Sequence, residues 1–117
     1  MQREFEDLTR RLSQAVFDYV TSGMNGKNWI SATLDVRYDP SGHSWNSKIR
    51  VTSDDGPPES LDMTNDIDVL LISLNSHRRD LGDEWYGLLL TMQADQHCKI
   101  KLNYDSRCSE DASFFNN

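Results

Sequence analysis

Within the strand predicted at residues 29–38, apolar and polar side chains alternate from Ile30 to Tyr38, and this alternation limits the fold more than any other feature of the sequence. Successive side chains of an extended strand point to opposite faces, so the pattern predicts a strand that is buried on one face only. Trp29 is the first residue of the predicted strand, and its place in the alternation assigns its side chain to the outer face. The residues that we expect to point inward are Ile30, Ala32, Leu34, Val36 and Tyr38.

A hairpin is predicted at this strand because residues 39–43 read Asp-Pro-Ser-Gly-His, which is typical turn chemistry, and the alternation resumes over residues 45–51. We predict the register that keeps apolar residues together and sets opposite charges face to face. Its opposing pairs are Tyr38 with Trp45, Leu34 with Ile49, and Asp35 with Lys48.

Two segments show the three- to four-residue apolar spacing of amphipathic helices. The first covers residues 4–20, and the second begins after a cap at Thr64 or Asn65. We expect the second helix to bury an inner stripe that Val69 and Ile72 broaden. The members of that stripe are Ile67, Leu70, Leu71 and Leu74. A second hairpin is predicted over residues 86–104, with its turn at 95–97.

The predicted order of elements is therefore α-β-β-α-β-β. Blocks of antiparallel strands that alternate with helices indicate an α+β, two-layer fold, with an antiparallel sheet and the helices on one face. A chain of 117 residues fits a single domain over residues 1–117, and we expect residues 105–117 to form a loosely attached tail.

Residues 54–68 carry six acidic side chains and no lysine or arginine across fifteen positions. Turn chemistry and the start of the second helix explain about half of these acids, but they do not explain the lack of any basic residue. We interpret this acidic segment as a binding surface for a basic protein. Its acids are Asp54, Asp55, Glu59, Asp62, Asp66 and Asp68.

Composition and motifs argue against several other functions. The net charge of −7 disfavours direct binding to nucleic acid, because phosphate groups are repelled. No metal-ligand spacing, nucleophile motif or glycine-rich phosphate loop is present, so we expect no metal, no cofactor and no catalytic residues. Two cysteines, no signal-peptide pattern and no long apolar run predict a cytosolic protein with reduced thiols and no membrane contact.

The order of elements and the second half of the chain resemble the YezG-like immunity-protein family, the antitoxins of bacterial polymorphic toxin and contact-dependent inhibition systems. A leucine-rich helix there leads to a tryptophan-led strand, a short turn, a lysine-bearing strand and a Tyr-Asp ending. Trp29 resembles the tryptophan that often opens the first strand of the family. The other matching positions are Trp85, Thr91, Lys99, Tyr104 and Asp105.

This resemblance implies a cytosolic protein that binds one cognate toxin, often a nuclease, and blocks its active site. Four acids are expected to face the toxin, with Asp66 and Asp68 as second choices. The predicted partner-binding set also includes Trp85 and Asp105. Trp85 is assigned to the outer face of its strand by the alternation, and Asp105 follows the last strand. We expect a monomer in a 1:1 complex. The four acids are Asp54, Asp55, Glu59 and Asp62.

A small acidic secretion chaperone is the alternative prediction, because such proteins share this size, charge and α/β make-up. They usually work as dimers that hold an extended effector segment in an apolar groove. An enzyme with an acidic cleft is a third alternative. For Trp29 and Trp85, packing in the core at a strand end is the alternative to a role in partner binding.

Overall fold

A computed structural model describes residues 2–24, 28–39, 44–54, 56–81 and 85–110. The two helices are α1 (Gln2–Gly23) and α2 (Asn65–Leu81). The strands are β1 (Trp29–Tyr38), β2 (Trp45–Ser53), β3 (Glu59–Leu61), β4 (Gly87–Gln93) and β5 (Cys98–Asn103), and a short 3₁₀ helix follows at Cys108–Glu110. In this part of the chain, neither helix is both long and apolar enough to cross a membrane.

The described strands form one antiparallel sheet in the order β3-β2-β1-β4-β5. The fold is α+β, and the predicted order of elements is matched apart from β3, which lies inside the segment that we predicted to be a loop. Its pairing with β2 sets Leu61 opposite Ile49 and Glu59 opposite Val51. Pro57 and Pro58 lack backbone N–H donors, and β3 begins directly after them at Glu59.

The predicted register of the first hairpin is confirmed. Across β1 and β2 the opposing residues are Tyr38 with Trp45, Leu34 with Ile49, and Asp35 with Lys48. Residues 40–43 of the predicted turn lie outside the described residues.

The start of β1 differs from the prediction because the strand contains a bulge. Trp29 lies opposite Ser53 but Ser31 lies opposite Thr52, so Ile30 is the extra residue. An extra residue exchanges the two faces of the strand on one side of the bulge. Trp29 is therefore buried edge-on against Phe17, with 5.6 Å between the ring centroids, whereas Ile30 is 47% exposed.

Both helices and the sheet contribute to one cluster of buried apolar residues. The contributors from α1 are Leu8, Leu12, Val16 and Val20, and those from α2 are Ile67, Leu71 and Leu74. The sheet contributes Ala32, Leu34, Val36, Tyr38, Ile49, Val51, Leu88, Leu90 and Met92.

The second helix buries a narrower stripe than we predicted. Val69 and Ile72 are 59% and 51% exposed, so the expectation that they widen the covered face is wrong. Residues two positions apart on a helix lie about 200° apart, which turns Val69 away from a stripe that contains Ile67 and Leu71. The predicted cap is confirmed at Thr64, whose Oγ1 accepts a hydrogen bond from the Ile67 N–H at 3.3 Å.

Residues 105–110, the described part of the predicted tail, pack against the sheet. Cys108 is buried, and its carbonyl accepts a hydrogen bond from Arg37 at 3.0 Å. Gly87 makes this approach possible, because a Cβ there would lie 3.2 Å from the Cys108 Sγ and 3.0 Å from the Asn103 Cβ. Residues 111–117 lie outside the described residues.

Candidate functional site

The acidic segment runs from the end of β2, through β3, into the first turn of α2. Asp54 is exposed in the turn after β2, and Asp55 lies outside the described residues. Glu59 is exposed on β3, and Asp62 is exposed directly after it. In the first turn of α2, Asp66 is exposed and Asp68 is half-buried.

None of the five described carboxylates of this segment takes part in an ion pair with another described residue. The ion pairs that the structure shows join acids and bases elsewhere, such as Asp7 with Arg10 and Asp35 with Arg37. These five carboxylates therefore have no basic partner in the described part of the chain, and the N-terminus of α2 favours the charges of Asp66 and Asp68.

Packing holds the backbone of the acidic segment in place. β3 pairs with β2, and the side chain of Leu61 packs against the core beside Gly23. The Tyr19 hydroxyl on α1 donates a hydrogen bond to the Asp62 carbonyl at 2.5 Å, and Met63 packs against the core. The carboxylates thus project from an ordered scaffold, which lowers the entropy lost when a partner binds them.

Asp105 lies far from the acidic segment. It follows β5, whereas Glu59 lies on β3, and these strands form opposite edges of the sheet, about four strand spacings or 19 Å apart. Its Oδ1 accepts a hydrogen bond from the Arg107 N–H at 2.9 Å, so it stabilises its own turn. The structure does not bring Asp105 together with the other predicted acids.

Trp85 is fully buried and exposes no surface to a partner. Its ring packs edge-on against Tyr38, with centroids 5.6 Å apart, and against Phe5 at 6.2 Å. Arg78 donates a hydrogen bond to the Trp85 carbonyl at 3.1 Å and places its guanidinium carbon 5.8 Å from the Trp85 ring centroid. Trp85 and Trp29 both have the core-packing role that was the alternative for them.

Arg78 is a buried cation, which the sequence pattern did not predict. Its guanidinium carbon also lies 5.0 Å from the Tyr38 ring centroid and 5.6 Å from that of Tyr86, and its Nη2 donates to Asn75 at 3.0 Å. Arginine at the end of a helix usually indicates an exposed residue that interacts with the helix dipole. The aromatic residues at positions 85 and 86 were the only feature of the sequence that indicated burial of Arg78 against aromatic rings.

A second charged surface lies on the polar face of the sheet. We define this surface by one acidic residue, Asp35, and by five basic residues. Cross-strand pairing sets Asp35 between Lys48 and Leu89, and Leu89 opposite Lys101. These six residues carry a net charge of +4, so with a total of −7 the rest of the chain carries −11. The basic residues are Arg37, Lys48, Arg50, Lys99 and Lys101.

Few groups in the described part of the chain offer reactive chemistry. No set of three or more His, Cys, Asp or Glu residues there is arranged to hold a metal ion. Cys98 is exposed and Cys108 is buried, both with free thiols. Burial raises the pKa of the Cys108 thiol, which lowers its thiolate fraction near neutral pH.

Comparison with models of known protein families finds no match, and comparison with curated proteins finds no significantly similar sequence. The resemblance to the YezG-like immunity proteins therefore stays a prediction.

Proposed function

We propose that this protein is a cytosolic immunity protein that binds a cognate protein toxin through its acidic segment. The observation that carries the proposal is the set of five described carboxylates between residues 54 and 68, which have no basic partner among the described residues. The partner is expected to present a basic surface, and a nuclease domain is the toxin class that fits this charge best.

The physical reason is that a nuclease must be positive where it holds substrate phosphates. An acidic protein can occupy the same surface and exclude the nucleic acid. Complementary charge raises the association rate towards about 10⁸–10⁹ M⁻¹s⁻¹ at low salt, compared with about 10⁵–10⁶ M⁻¹s⁻¹ for a neutral pair. Rapid association suits an inhibitor that must bind a toxin before the toxin acts.

Retention of the partner requires apolar contacts as well as charge, because a few well-packed residues carry most of the binding energy of an interface. Val69 and Ile72 are exposed on α2, three residues after Asp66 and four residues after Asp68 respectively. Residues at these spacings lie on neighbouring positions of a helix surface. We therefore add Val69 and Ile72 to the proposed interface as its apolar contacts.

The proposal treats the fold as two layers, with both helices on one face of the sheet and one copy of the chain per toxin. The cluster that joins α1, α2 and the sheet supports this arrangement. Asp105 and Trp85 are not part of the proposed interface, because one lies at the opposite edge of the sheet and the other is buried.

The experiment uses the protein encoded next to this one as the candidate toxin. Growth of cells that express the candidate is measured with and without the immunity protein, and the purified pair is examined for a 1:1 complex by sedimentation. We expect growth arrest that the wild-type protein relieves. A stable dimer of the chain alone, with no effect on growth, would favour the secretion chaperone and contradict the proposal.

Two double variants with the same change in charge test the surface. D54K/E59K reverses two acids of the acidic segment, whereas E6K/D18K reverses two exposed acids of α1. We expect D54K/E59K to lose protection and E6K/D18K to keep it. Equal protection by both variants would mean that the acidic segment is not the binding surface.

A further inference from the structure

Among the described strands β5 forms an edge of the sheet, and the pairing pattern shows which of its backbone groups have no strand partner there. The Gln93 N–H donates to the His97 carbonyl at 2.8 Å, so these two residues occupy a hydrogen-bonded position of the ladder. Such positions recur at every second residue of an antiparallel ladder, so Lys99 and Lys101 direct their backbone groups towards β4. The N–H and C=O groups of the alternate residues Cys98, Ile100 and Leu102 therefore point away from β4.

The pairing of β4 with β1 supports this assignment independently. The Ala94 N–H donates to the Ile30 carbonyl at 3.0 Å, so the even-numbered residues of β4 direct their backbone groups to β1. The odd-numbered residues of β4 are then left to bond β5.

Two of these three residues of β5, Cys98 and Ile100, place their side chains beside a groove whose surface is mostly apolar. The groove lies between α1 and the β4–β5 hairpin, has a volume of about 380 Å³, and takes its apolar lining from Phe17, Met92, Cys98 and Ile100. Cys98 is exposed and Ile100 is half-buried, so both have surface left to cover. A chain that pairs with β5 would direct the side chains opposite Cys98 and Ile100 into this groove, and those side chains should be apolar. The side chain opposite Leu102 would lie on the same face of the sheet, beside the half-buried Leu102.

The opposite side of β5 selects for acidic side chains. Lys99 and Lys101 are exposed on the polar face of the sheet, and neither forms an ion pair with any residue that the structure describes. An added strand would set its remaining side chains next to these two ammonium groups, and opposite charges in cross-strand positions are stabilising.

We propose that β5 is a docking site for an extended segment of another protein, which pairs with it antiparallel and alternates apolar with acidic residues. The apolar residues lie opposite Cys98, Ile100 and Leu102, and the acidic residues lie opposite Lys99 and Lys101. Addition of a strand to an exposed sheet edge is a common mode of peptide recognition.

A second copy of this chain fits the site poorly. Antiparallel pairing of two β5 strands about Ile100 would set Lys99 of each copy opposite Lys101 of the other. A shift of this register by two residues in either direction would set a lysine opposite its own counterpart. Like charges directly opposite are destabilising, and lysines on an edge strand generally oppose self-association.

This inference does not depend on the proposed function. The β5 edge and the β3 edge that carries Glu59 lie on opposite sides of the sheet, and the two sites have opposite charge. A protein could therefore occupy β5 while a basic partner occupies the acidic segment, and either proposal can fail alone.

The probe is a short capped peptide that alternates valine and glutamate, with an alternating valine–lysine peptide as its control. Binding is measured by calorimetry and mapped by backbone amide chemical shifts of the full chain. We expect the valine–glutamate peptide to bind at least about tenfold more tightly than the control, and to shift the amides of residues 98–102. The K99E/K101E variant should reverse the preference. Equal binding of both peptides, binding of neither, or shifts confined to other residues would overturn the proposal.

N-methylation separates strand pairing from simple charge attraction. In the proposed antiparallel arrangement the valine N–H groups bond to β5 and the glutamate N–H groups point away from it. We expect N-methylation of the valines to abolish binding and N-methylation of the glutamates to preserve it. If both modified peptides bind equally well, or if a short deoxythymidine oligonucleotide binds the lysines as tightly as the peptide, strand pairing is not the role of this edge.

Discussion

Replacement of Arg78 by alanine is predicted to lower the free energy of unfolding by about 3 kcal/mol, which is a large part of the 5–15 kcal/mol typical of a small domain. Arg78 is 5% exposed and lies among the rings of Tyr38, Trp85 and Tyr86. It holds the end of α2 to the chain that leads into β4, because it bonds Asn75 on the helix and the Trp85 carbonyl beyond it.

The magnitude follows from opposing contributions. Two hydrogen bonds from a charged donor are worth about 1.5–3 kcal/mol each, and three contacts with aromatic rings add about 0.5–1 kcal/mol each. The Arg78→Ala protein no longer pays the desolvation penalty of a buried cation, which is several kcal/mol. The net decrease in the free energy of unfolding is therefore about 3 kcal/mol. The Nε of Arg78 is buried and has no hydrogen-bond partner among the described residues, which adds to this desolvation penalty. Lysine at position 78 keeps the charge but not the planar fork, and should recover only about half of the loss.

Urea unfolding, followed by circular dichroism so that the change near Trp85 does not affect the signal, measures this effect. Arg10→Ala is the matched control, because Arg10 is exposed and pairs with Asp7 on the helix surface. We expect the control to change the free energy of unfolding by less than about 0.5 kcal/mol. An Arg78→Ala protein within about 1 kcal/mol of the wild type would refute the reasoning.

Three further predictions follow from local structure. Thr64→Ala removes the cap of α2 and should cost about 1 kcal/mol by urea unfolding; no measurable loss would mean that the cap is not stabilising. A thiol reagent should label Cys98 rapidly in the folded protein and Cys108 only after unfolding, as mass spectrometry would show; similar rates would contradict the burial of Cys108. Burial raises the pKa of Tyr38, whereas an unfolded tyrosine titrates near pH 10, so the folded state holds more protons above that pH. Stability should therefore fall as the pH rises above about 10 in the wild type, and less steeply in Tyr38→Phe; identical slopes would contradict this.

The register of the first hairpin from its turn to Leu34 could be predicted because two independent signals agree there. The turn chemistry at residues 39–43 limits the loop length, and the apolar and charged pairs across β1 and β2 select a single register. The α2 cap was similarly predictable, since Thr64 precedes the apolar spacing of the helix directly.

The structure differs from the prediction at places where the sequence is compatible with two local structures and tertiary packing decides between them. The bulge at Ile30 has no glycine to mark it, so strict alternation assigned Trp29 and Ile30 to the wrong faces. Strand β3 has only three residues, too few for a periodic signal, and depends on β2 for its hydrogen bonds. The exposure of Val69 and Ile72 depends on which stripe of α2 meets the core.

The acidic segment was predictable from the sequence as a run of negative charge. Which of the predicted acids lie together in the folded protein was not predictable. The absence of lysine and arginine over residues 54–68 is visible in the sequence, whereas the separation of Asp105 follows from the order of strands in the sheet. The position of β5 at the edge of the described sheet likewise depends on that order, because the sequence of a hairpin does not reveal which of its strands is the outer one.

The rate of association between this protein and its candidate toxin, measured at several salt concentrations, tests the central claim most directly. Between ionic strengths of about 0.01 and 1 M the screening length falls from about 30 to 3 Å. We predict that the wild-type rate constant falls steeply over this range, that D54K/E59K associates at least about tenfold more slowly at low salt, and that E6K/D18K stays close to the wild type. Rate constants for D54K/E59K and E6K/D18K that match at every salt concentration would contradict the account.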